Sequence, residues 1–336
     1  MTAKKGVPLF PLNKSGYGTV ALGNGFNTHT DLEAHQIVEA AWNAGVRYFD
    51  TAPLYGLGIS ERRLGLFLKD KPRKEYVLSS KVGRLLEPKD HFRPTQSIWQ
   101  GSFNFGYKYD YSAAGARRSV EDSLQRLGVS ALDIVFIHDL SPDNADLNGN
   151  WEQYFEIAQK GAMQEMEKMK DEGLIKAWGI GVNTIEPIVK TMEVASPDIL
   201  LSASQYSLIA HEEALNSIFP KAKEKGISIV IGSPFAAGLL AGKQRYLYGG
   251  DLPAWTVQKY KSLEKVAQNH GVNLRAAAIQ FSAAPDVVSA VIPGAGSVVQ
   301  AQENAAAFTA VIPLGFWEEL KHEKLIAANA PLPVVN

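Results

Sequence analysis

Residues 45–56, GVRYFDTAPLYG, contain the unit from which the fold of this chain follows. Gly45 comes directly after an amphipathic segment at 31–44, a short apolar strand is predicted at 47–50, and Asp50 stands where that strand ends. A glycine just past a helix supplies the left-handed conformation that turns the chain back. A helix, a glycine and a strand in this order are typical of a βαβ unit in a parallel sheet.

The same unit recurs along the whole chain. Helical patterns lie at 31–44, 113–127, 154–172, 213–225 and 274–282, and four of these segments end before a glycine, at Gly45, Gly128, Gly173 and Gly226. Eight short apolar runs are predicted to be strands, at 18–22, 47–50, 76–82, 133–138, 176–182, 200–204, 228–233 and 287–292. Eight such units with no low-complexity linker favour an α/β fold, one (β/α)8 barrel over residues 1–336, with an open doubly wound sheet as the alternative.

Composition limits the classes of function. The chain has 336 residues, 34 basic and 35 acidic side chains and a formal net charge of −1, which argues against a nucleic-acid or anionic-membrane partner. It has no cysteine, so disulfides, thiolate nucleophiles and zinc–thiolate sites are excluded, and we expect no metal site. No apolar run is long enough for a membrane span or a signal peptide, so we expect a cytoplasmic protein. The pattern predicts no particular oligomeric state.

Two segments are longer than ordinary barrel loops. Segment 141–150 is polar, whereas 84–111 holds seven aromatic residues: Phe92, Trp99, Phe103, Phe105, Tyr107, Tyr109 and Tyr111. Long loops inside compact domains commonly serve as lids, and this aromatic content predicts a packed lid at the C-terminal face of the barrel.

Polar side chains follow the predicted strands at the positions where barrels carry their active sites, namely Asp50, Lys81, His138, Asn183 and Gln205, with Tyr55 on the loop after Asp50. Each alone is compatible with a structural role as a helix cap, a hydrogen-bonded histidine or a loop aromatic. Together, an acid, a phenol, an ammonium and an imidazole at one barrel mouth can move a proton on an alcohol or carbonyl while another agent moves a hydride. A lysine beside a phenol, whose free pKa is about 10, favours the phenolate.

A second enzyme class is compatible with a strand-end lysine. Lys81 could form an imine, as in a Schiff-base aldolase. Asp50 would keep Lys81 protonated and therefore non-nucleophilic, which favours the proton-transfer interpretation.

Five blocks, in this order, resemble the signature segments of the aldo-keto reductases: GVRYFDTAPLYG, LSSKVG, DIVFIHD, GIGVN and SQYSL. The resemblance runs from Gly16 to about Phe308 and implies a (β/α)8 barrel that binds an extended nicotinamide dinucleotide. It implies a catalytic tetrad of Asp50, Tyr55, Lys81 and His138, in which Tyr55 is the general acid in reduction and the base in oxidation. No G-x-G-x-x-G segment follows a strand, which agrees with the absence of a Rossmann fold.

The resemblance also implies contacts to the cofactor and the substrate. Asn183 and Gln205 would hold the nicotinamide carboxamide, and the glycine-rich loop with Gly238 and Leu240 would lie along the pyrophosphate. The remaining expected cofactor contacts are Gly23, Asn24, Asp50, Ser233, Pro234, Phe235, Gly294, Gln300, Glu303 and Asn304. The expected substrate contacts are Tyr55, His138, Trp99 and Phe103. Gly232 replaces an aromatic residue that commonly stacks on the nicotinamide, which leaves Tyr206 and Phe235 as candidates to brace that ring, with a packing role in the core as the more common alternative for each.

The segment VIPGAGSVVQAQENAAAF at 291–308 bears on the choice of cofactor. NADPH-preferring relatives carry cations for the 2′-phosphate where this chain has Gly294, Ala295 and Gln300. Without those cations the phosphate would be desolvated with no counter-charge. We therefore predict a preference for NAD of at least tenfold in kcat/KM, about 1.4 kcal/mol.

An NAD preference favours a dehydrogenase. VALGN at 20–24, DYS at 110–112 and IHD at 137–139 resemble the NAD-using members that oxidise cyclic hemiacetals to lactones. The predicted reaction is oxidation at C1 of an aldose such as L-fucose or another D-threo-aldose, in a step that speeds up as pH rises and Tyr55 ionises. The alternatives are a pyridoxal 4-dehydrogenase forming 4-pyridoxolactone, a general aldehyde reductase, and a non-catalytic cofactor-sensing channel subunit, which the complete tetrad argues against.

Overall fold

Eight parallel strands form a barrel in the computed structural model, which describes residues 14–94, 98–101, 103–247 and 252–333. The strands of the described residues are β1 (Gly16–Gly18), β2 (Tyr48–Asp50), β3 (Val77–Val82), β4 (Arg84–Phe92), β5 (Phe103–Tyr109), β6 (Leu132–His138), β7 (Ile175–Val182), β8 (Ile199–Ala203), β9 (Ser228–Gly232) and β10 (Val288–Ile292). The order around the barrel is β1-β2-β3-β6-β7-β8-β9-β10, and parallel bridges from Ser15 to Val291 and from Gly18 to Gly294 join the last strand to the first. The predicted fold class is therefore confirmed.

The barrel strands are apolar on both faces because one face fills the barrel and the other lies under helices. In β6 every residue is buried: Ile134 and Phe136 belong to the cluster inside the barrel, and Val135 and Ile137 belong to the layer beneath the helices. This alternation is why the strands read as short continuous apolar runs in the sequence.

Helices cover the outside of the barrel. The α-helices of the described residues are α1 (Asp31–Asn43), α2 (Ile59–Leu68), α3 (Ala113–Leu127), α4 (Trp151–Lys160), α5 (Ala162–Asp171), α6 (Glu186–Val194), α7 (Phe219–Lys225), α8 (Ala254–Asn269), α9 (Leu274–Ala283), α10 (Val298–Ala307) and α11 (Leu314–His322). All four glycines predicted to follow helices have positive φ, between 68° and 91°. Within the described residues, no helix is both long and apolar enough to cross a membrane.

Three predicted elements were wrong in detail. The first strand is Gly16–Gly18 rather than 18–22, because Thr19–Gly23 form a 3-10 helix. Segment 154–172 is not one helix: α4 and α5 meet at Gly161, which packs against the start of α3. Segment 213–225 begins with a π-helical turn, Ala214–Ile218, before α7.

The aromatic segment 84–111 is a β-hairpin. Strands β4 and β5 pair antiparallel, with Arg84 opposite Tyr109. The described part of the connection between them returns to the barrel mouth, where Trp99 and Phe103 are only 7% and 4% exposed and pack with Leu54 and Leu57 from the loop after β2. The prediction of a packed aromatic lid is confirmed.

Candidate active site

Three charged or ionisable groups end neighbouring barrel strands. Asp50 is the last residue of β2, Lys81 lies at the end of β3, and His138 is the last residue of β6. The Lys81 ammonium donates to Asp50 Oδ2 at 2.6 Å and to the carbonyl of Thr51 at 2.9 Å, and Ser79 donates to the other Asp50 oxygen at 2.6 Å. Both charged side chains are 2% exposed, so each compensates a charge that would otherwise be costly to bury.

Tyr55 lies above this ion pair on the loop after β2. The centroid of its ring is 4.7 Å from Lys81 Nζ, 5.8 Å from the His138 ring in a T-shaped arrangement and 5.9 Å from the Trp99 ring. The tetrad predicted from sequence is therefore brought together, with Tyr55 between the ammonium, the imidazole and the indole.

The close approach of two backbone segments at Tyr55 explains why positions 23 and 56 are glycines. A Cβ on Gly23 would lie 2.4 Å from the carbonyl carbon of Tyr55, and one on Gly56 would lie 2.4 Å from the carbonyl oxygen of Gly23. The two chain segments thus approach so closely that only glycine fits. Gly23, which was predicted to contact the cofactor, lies against the Tyr55 turn and is not among the described residues that line the trench.

His138 is held neutral. It is 7% exposed, and burial, together with the charges of Arg84 and Lys81, lowers its pKa well below the ordinary value of 6.5. Its Nε2 lies 3.5 Å from Oδ1 of Asp139. A carboxylate on that side favours the tautomer that carries its proton on Nε2, so this nitrogen can donate a hydrogen bond to a substrate oxygen.

Two cavities meet at Tyr55. One, here called the central cavity, has a volume of about 490 Å³ and contains Tyr55, Lys81 and His138 in its wall. The second, here called the trench, has a volume of about 540 Å³ and runs from Tyr55 across the ends of β9 and β10. Both are lined by Val20, Tyr55, Leu201 and Ala203, so they form one continuous groove.

The central cavity has one apolar and one acidic wall. Leu54, Ile98 and Trp99 form the apolar side, and the loop after β6 contributes Asp139, Asp143, Asn144 and Asp146 to the other. In the sequence this loop is merely polar, and the acidic wall was not predicted; the aspartate directly after His138 is the signal that could have indicated it. The predicted substrate contact Phe103 is buried in the hairpin cluster and is not among the described residues that line the cavity.

Half of the fourteen residues predicted to bind the cofactor line the trench. They are Asp50, Ser233, Pro234, Phe235, Gly238, Gly294 and Gln300. Of the others, Asn183 lies in the central cavity, where its backbone carbonyl accepts from Gln205 Nε2, and Asn24 anchors the trench loop by accepting from Arg63 at 2.9 Å and from the His29 amide at 3.1 Å. Leu240, Glu303 and Asn304 lie beside the trench rather than among the described lining residues.

The sequence did not point to three cations in the trench wall, Lys243, Arg245 and Arg275. The Arg245 guanidinium lies 3.8 Å from the Phe26 ring centroid, so it joins the loop after β9 to the loop after β1. Arg275 pairs with Glu303 at 2.5 Å and donates to Asn304 at 3.0 Å. An elongated groove with glycines in its wall and cations along it fits a dinucleotide, because glycine admits close backbone approach and cations compensate phosphates.

Of the two aromatic residues considered as a brace for the nicotinamide ring, Tyr206 lies away from the trench and Phe235 lines it. Tyr206 is fully buried behind the barrel, where it stacks on Phe281 with ring centroids 5.1 Å apart, so it does not reach the trench. Phe235 does line the trench. A Cβ on Gly232 would lie 3.2 Å from the Cβ of Ala203, so the groove here has an aliphatic rather than an aromatic wall.

Comparison with known proteins agrees with this geometry. The model of the Aldo/keto reductase family matches residues 15–322. The chain is 37% identical to a D-threo-aldose 1-dehydrogenase of a Pseudomonas species, over 93% of this chain and 94% of that protein, and 34% identical to a pyridoxal 4-dehydrogenase of Microbacterium luteolum over the same shares. The structure of aldo-keto reductase AKR11C1 from Bacillus halodurans in its holo form superposes with a TM-score of 0.70 at 26% identity, covering 96% of this chain and 93% of that one. The chain therefore belongs to the aldo/keto reductase family and is an oxidoreductase.

Proposed function

We propose that this protein is an NAD-dependent dehydrogenase that oxidises the anomeric carbon of a cyclic aldose to a lactone, with Tyr55 as the proton acceptor. The observation that carries the proposal is the position of Tyr55. It lies where a dinucleotide-sized trench meets a cavity with one apolar and one acidic wall, above the buried Lys81–Asp50 pair and beside a neutral His138.

The residues divide the work of the proton transfer. The neutral His138 donates from Nε2 to the anomeric oxygen and so aims the hydroxyl proton at Tyr55. The Tyr55 oxygen takes that proton, and the Lys81 ammonium near its ring stabilises the phenolate form that can do so. A bound nicotinamide dinucleotide would supply the hydride acceptor. Asp50 acts through Lys81, whose charge and orientation it fixes at 2.6 Å. The same pairing disfavours an imine on Lys81, because forming one would remove the ion pair with Asp50 and the hydrogen bond to the carbonyl of Thr51.

The preference for NAD is part of the proposal. The positions matching the usual phosphate-binding cations are Gly294, Ala295 and Gln300, and the nearby guanidinium of Arg275 is already paired with Glu303. To pair with Arg275, a 2′-phosphate would have to displace that carboxylate.

The test is a screen for NADH formation with L-fucose, D-arabinose, L-galactose and pyridoxal, with NAD and NADP compared for the best substrate. We expect an aldose to be oxidised, NAD to exceed NADP at least tenfold in kcat/KM, and Tyr55→Phe to lose at least a thousandfold in kcat while NAD still binds. Tyr260→Phe is the matched control, because that hydroxyl binds Glu264 on α8, away from the groove, and its loss should leave turnover unchanged. Retention of turnover by Tyr55→Phe, or no oxidation of any aldose, would refute the proposal.

A second candidate is oxidation of the pyridoxal hemiacetal. The observation in its favour is Trp99, whose indole lines the central cavity near Tyr55 and could stack on a pyridine ring. The relative at 34% identity carries the name of that activity. The pyridoxal arm of the same screen distinguishes the two candidates.

A further inference from the structure

Asp139 is fixed in an unusual backbone conformation directly after His138. Its φ is +46°, a value that residues other than glycine rarely adopt. Both its backbone amide and its carbonyl form hydrogen bonds. Its amide donates to the carbonyl of Gly181 at 3.0 Å, and its carbonyl accepts from Asn144 Nδ2 at 2.8 Å. Strain of this kind persists only where the surroundings hold it, and it is common at functional sites.

The Asp139 carboxylate is clamped by one oxygen and directed by the other. Arg84, only 2% exposed, donates from Nη1 to Oδ2 at 2.9 Å and is itself held by the hydroxyl of Tyr109, at 2.9 Å from Nη2 and 3.2 Å from Nε. Arg84 holds Oδ2, and this leaves Oδ1 on the side of His138, 3.5 Å from Nε2. Asp139 also lines the central cavity, and its side chain is 18% exposed.

The spacing of His138 Nε2 and Asp139 Oδ1 suits a pair of hydroxyls on neighbouring carbons. When His138 Nε2 donates to the anomeric oxygen, that oxygen lies roughly 2.8 Å from it, and the hydroxyl on the neighbouring carbon lies about one hydrogen-bond length further along. An acceptor 3.5 Å from Nε2 and on the same side is then within reach of that neighbouring hydroxyl. A carboxylate only accepts, so it selects a group that donates.

The charge of the cavity narrows the substrate further. Asp139, Asp143 and Asp146 come from the loop after β6 and all line the central cavity, to which Leu54 and Trp99 contribute apolar surface. Three carboxylates repel an anionic substrate, and an unsubstituted apolar aldehyde would leave their hydration lost and unreplaced. A neutral ring with hydroxyls on one edge and C–H groups on one face matches both walls.

We propose that Asp139 is the residue that selects the substrate by accepting a hydrogen bond from the hydroxyl on the carbon next to the anomeric centre, so that the protein acts on neutral aldoses with a free 2-hydroxyl. The proposal rests on the proposed aldose oxidation and names its specificity determinant. Pyridoxal offers no such group, since the carbon next to its reacting centre is an aromatic ring carbon without a hydroxyl.

The experiment compares kcat/KM for L-fucose and 2-deoxy-L-fucose in the wild type, Asp139→Asn and Asp139→Ala. For each protein, the quantity of interest is the ratio of kcat/KM for L-fucose to kcat/KM for 2-deoxy-L-fucose. Differences in the intrinsic reactivity of the two sugars cancel when this ratio in a variant is divided by the same ratio in the wild type. A hydrogen bond to a charged group contributes roughly 1.5 to 3 kcal/mol, so we expect the wild type to prefer L-fucose by about 30-fold and both variants to lose at least tenfold of that preference. Asp122→Asn is the control, because that carboxylate pairs with Arg118 on the exposed face of α3 and not with any residue of the cavity, so the variant should keep the ratio of the wild type.

The outcomes separate this inference from the function on which it rests. Suppose that the wild type oxidises L-fucose, and that a variant still binds NAD but has a kcat/KM lowered equally for both sugars. Asp139 is then only a counter-ion for Arg84, and the inference fails while the function stands. A wild-type preference for L-fucose over 2-deoxy-L-fucose below threefold also overturns the inference, without need of a variant. Asp139→Asn keeps the shape of the side chain, so the test remains possible if the alanine variant does not fold. If no aldose is oxidised by the wild type, the proposed function and this inference fail together.

Discussion

Arg275 is a residue of the trench whose ion pair we expect to affect the choice between NAD and NADP. It lies in the first turn of α9, and its guanidinium reaches the trench while paired with Glu303 of α10. The two residues are 28 positions apart in the sequence, so no local pattern pairs them. The tetrad was predictable because each member ends a strand or follows one, whereas the trench cations and the acidic wall depend on how loops and helix ends converge.

Glu303→Gln should shift the cofactor preference toward NADP. The variant removes a carboxylate beside the trench and frees the Arg275 guanidinium to pair with a 2′-phosphate. We expect the ratio of kcat/KM for NAD to that for NADP to fall at least fivefold, measured with the best substrate of the screen. Glu319→Gln provides the control, because that carboxylate binds His270 away from the trench and its loss should leave the ratio unchanged. An unaltered ratio in Glu303→Gln would show that the Arg275–Glu303 pair does not set the preference.

Among the elements, the regular βα units followed from the sequence and the irregular ones did not. The run Val20–Ala21–Leu22 reads as a strand, but three apolar residues fit a 3-10 turn equally well, and the turn wins because Gly23 must pack against the backbone of Tyr55. The break between α4 and α5 has a similar cause. The helical period continues through Gly161, and only the neighbouring α3, which is distant in sequence, forces the change of direction.

Gly161→Ala tests this account of the break. The new Cβ would lie 2.7 Å from the backbone nitrogen of Ala113 and 3.0 Å from the carbonyl oxygen of Ile157, neither of which can move without shifting a helix. We expect a loss of about 1 to 3 kcal/mol in the free energy of unfolding, measured by urea denaturation. In Gly315→Ala the Cβ meets only His270 at 3.5 Å, and because the position is helical that control should be neutral or slightly stabilised. Equal stability of the two variants would contradict the packing explanation.

At the scale of the whole molecule, closure of the barrel could be predicted because it follows from a count of repeating units. Eight parallel strands with helical crossovers avoid exposed sheet edges when β10 meets β1, here through the bridges Ser15–Val291 and Gly18–Gly294. What the count could not give is how the segment after α11 is attached. Besides the buried side chains of Ile326 and Ala330, that attachment includes one buried histidine: the amide of Ala327 donates to Nε2 of His211 at 3.0 Å, so Nδ1 carries the ring proton and donates to the carbonyl of Ser207 at 3.0 Å.

This arrangement makes the stability of the protein sensitive to acid. Burial, with a smaller effect of Lys259, lowers the pKa of His211 from 6.5 to about 4, so the unfolded chain takes up the proton at a higher pH than the folded one. The contribution of His211 is therefore fully present above pH 6.5 and is lost as pH falls toward 4, by about 2 kcal/mol between pH 7 and pH 5. Urea denaturation at these two pH values should show a smaller loss in His211→Gln than in the wild type by about that amount, whereas His322→Gln, at a histidine that is 85% exposed, should behave as the wild type does. The buried His138 also has a lowered pKa, but it is common to all three proteins and cancels in the comparison. An identical loss in His211→Gln and the wild type would mean that His211 is not the group whose protonation weakens the fold.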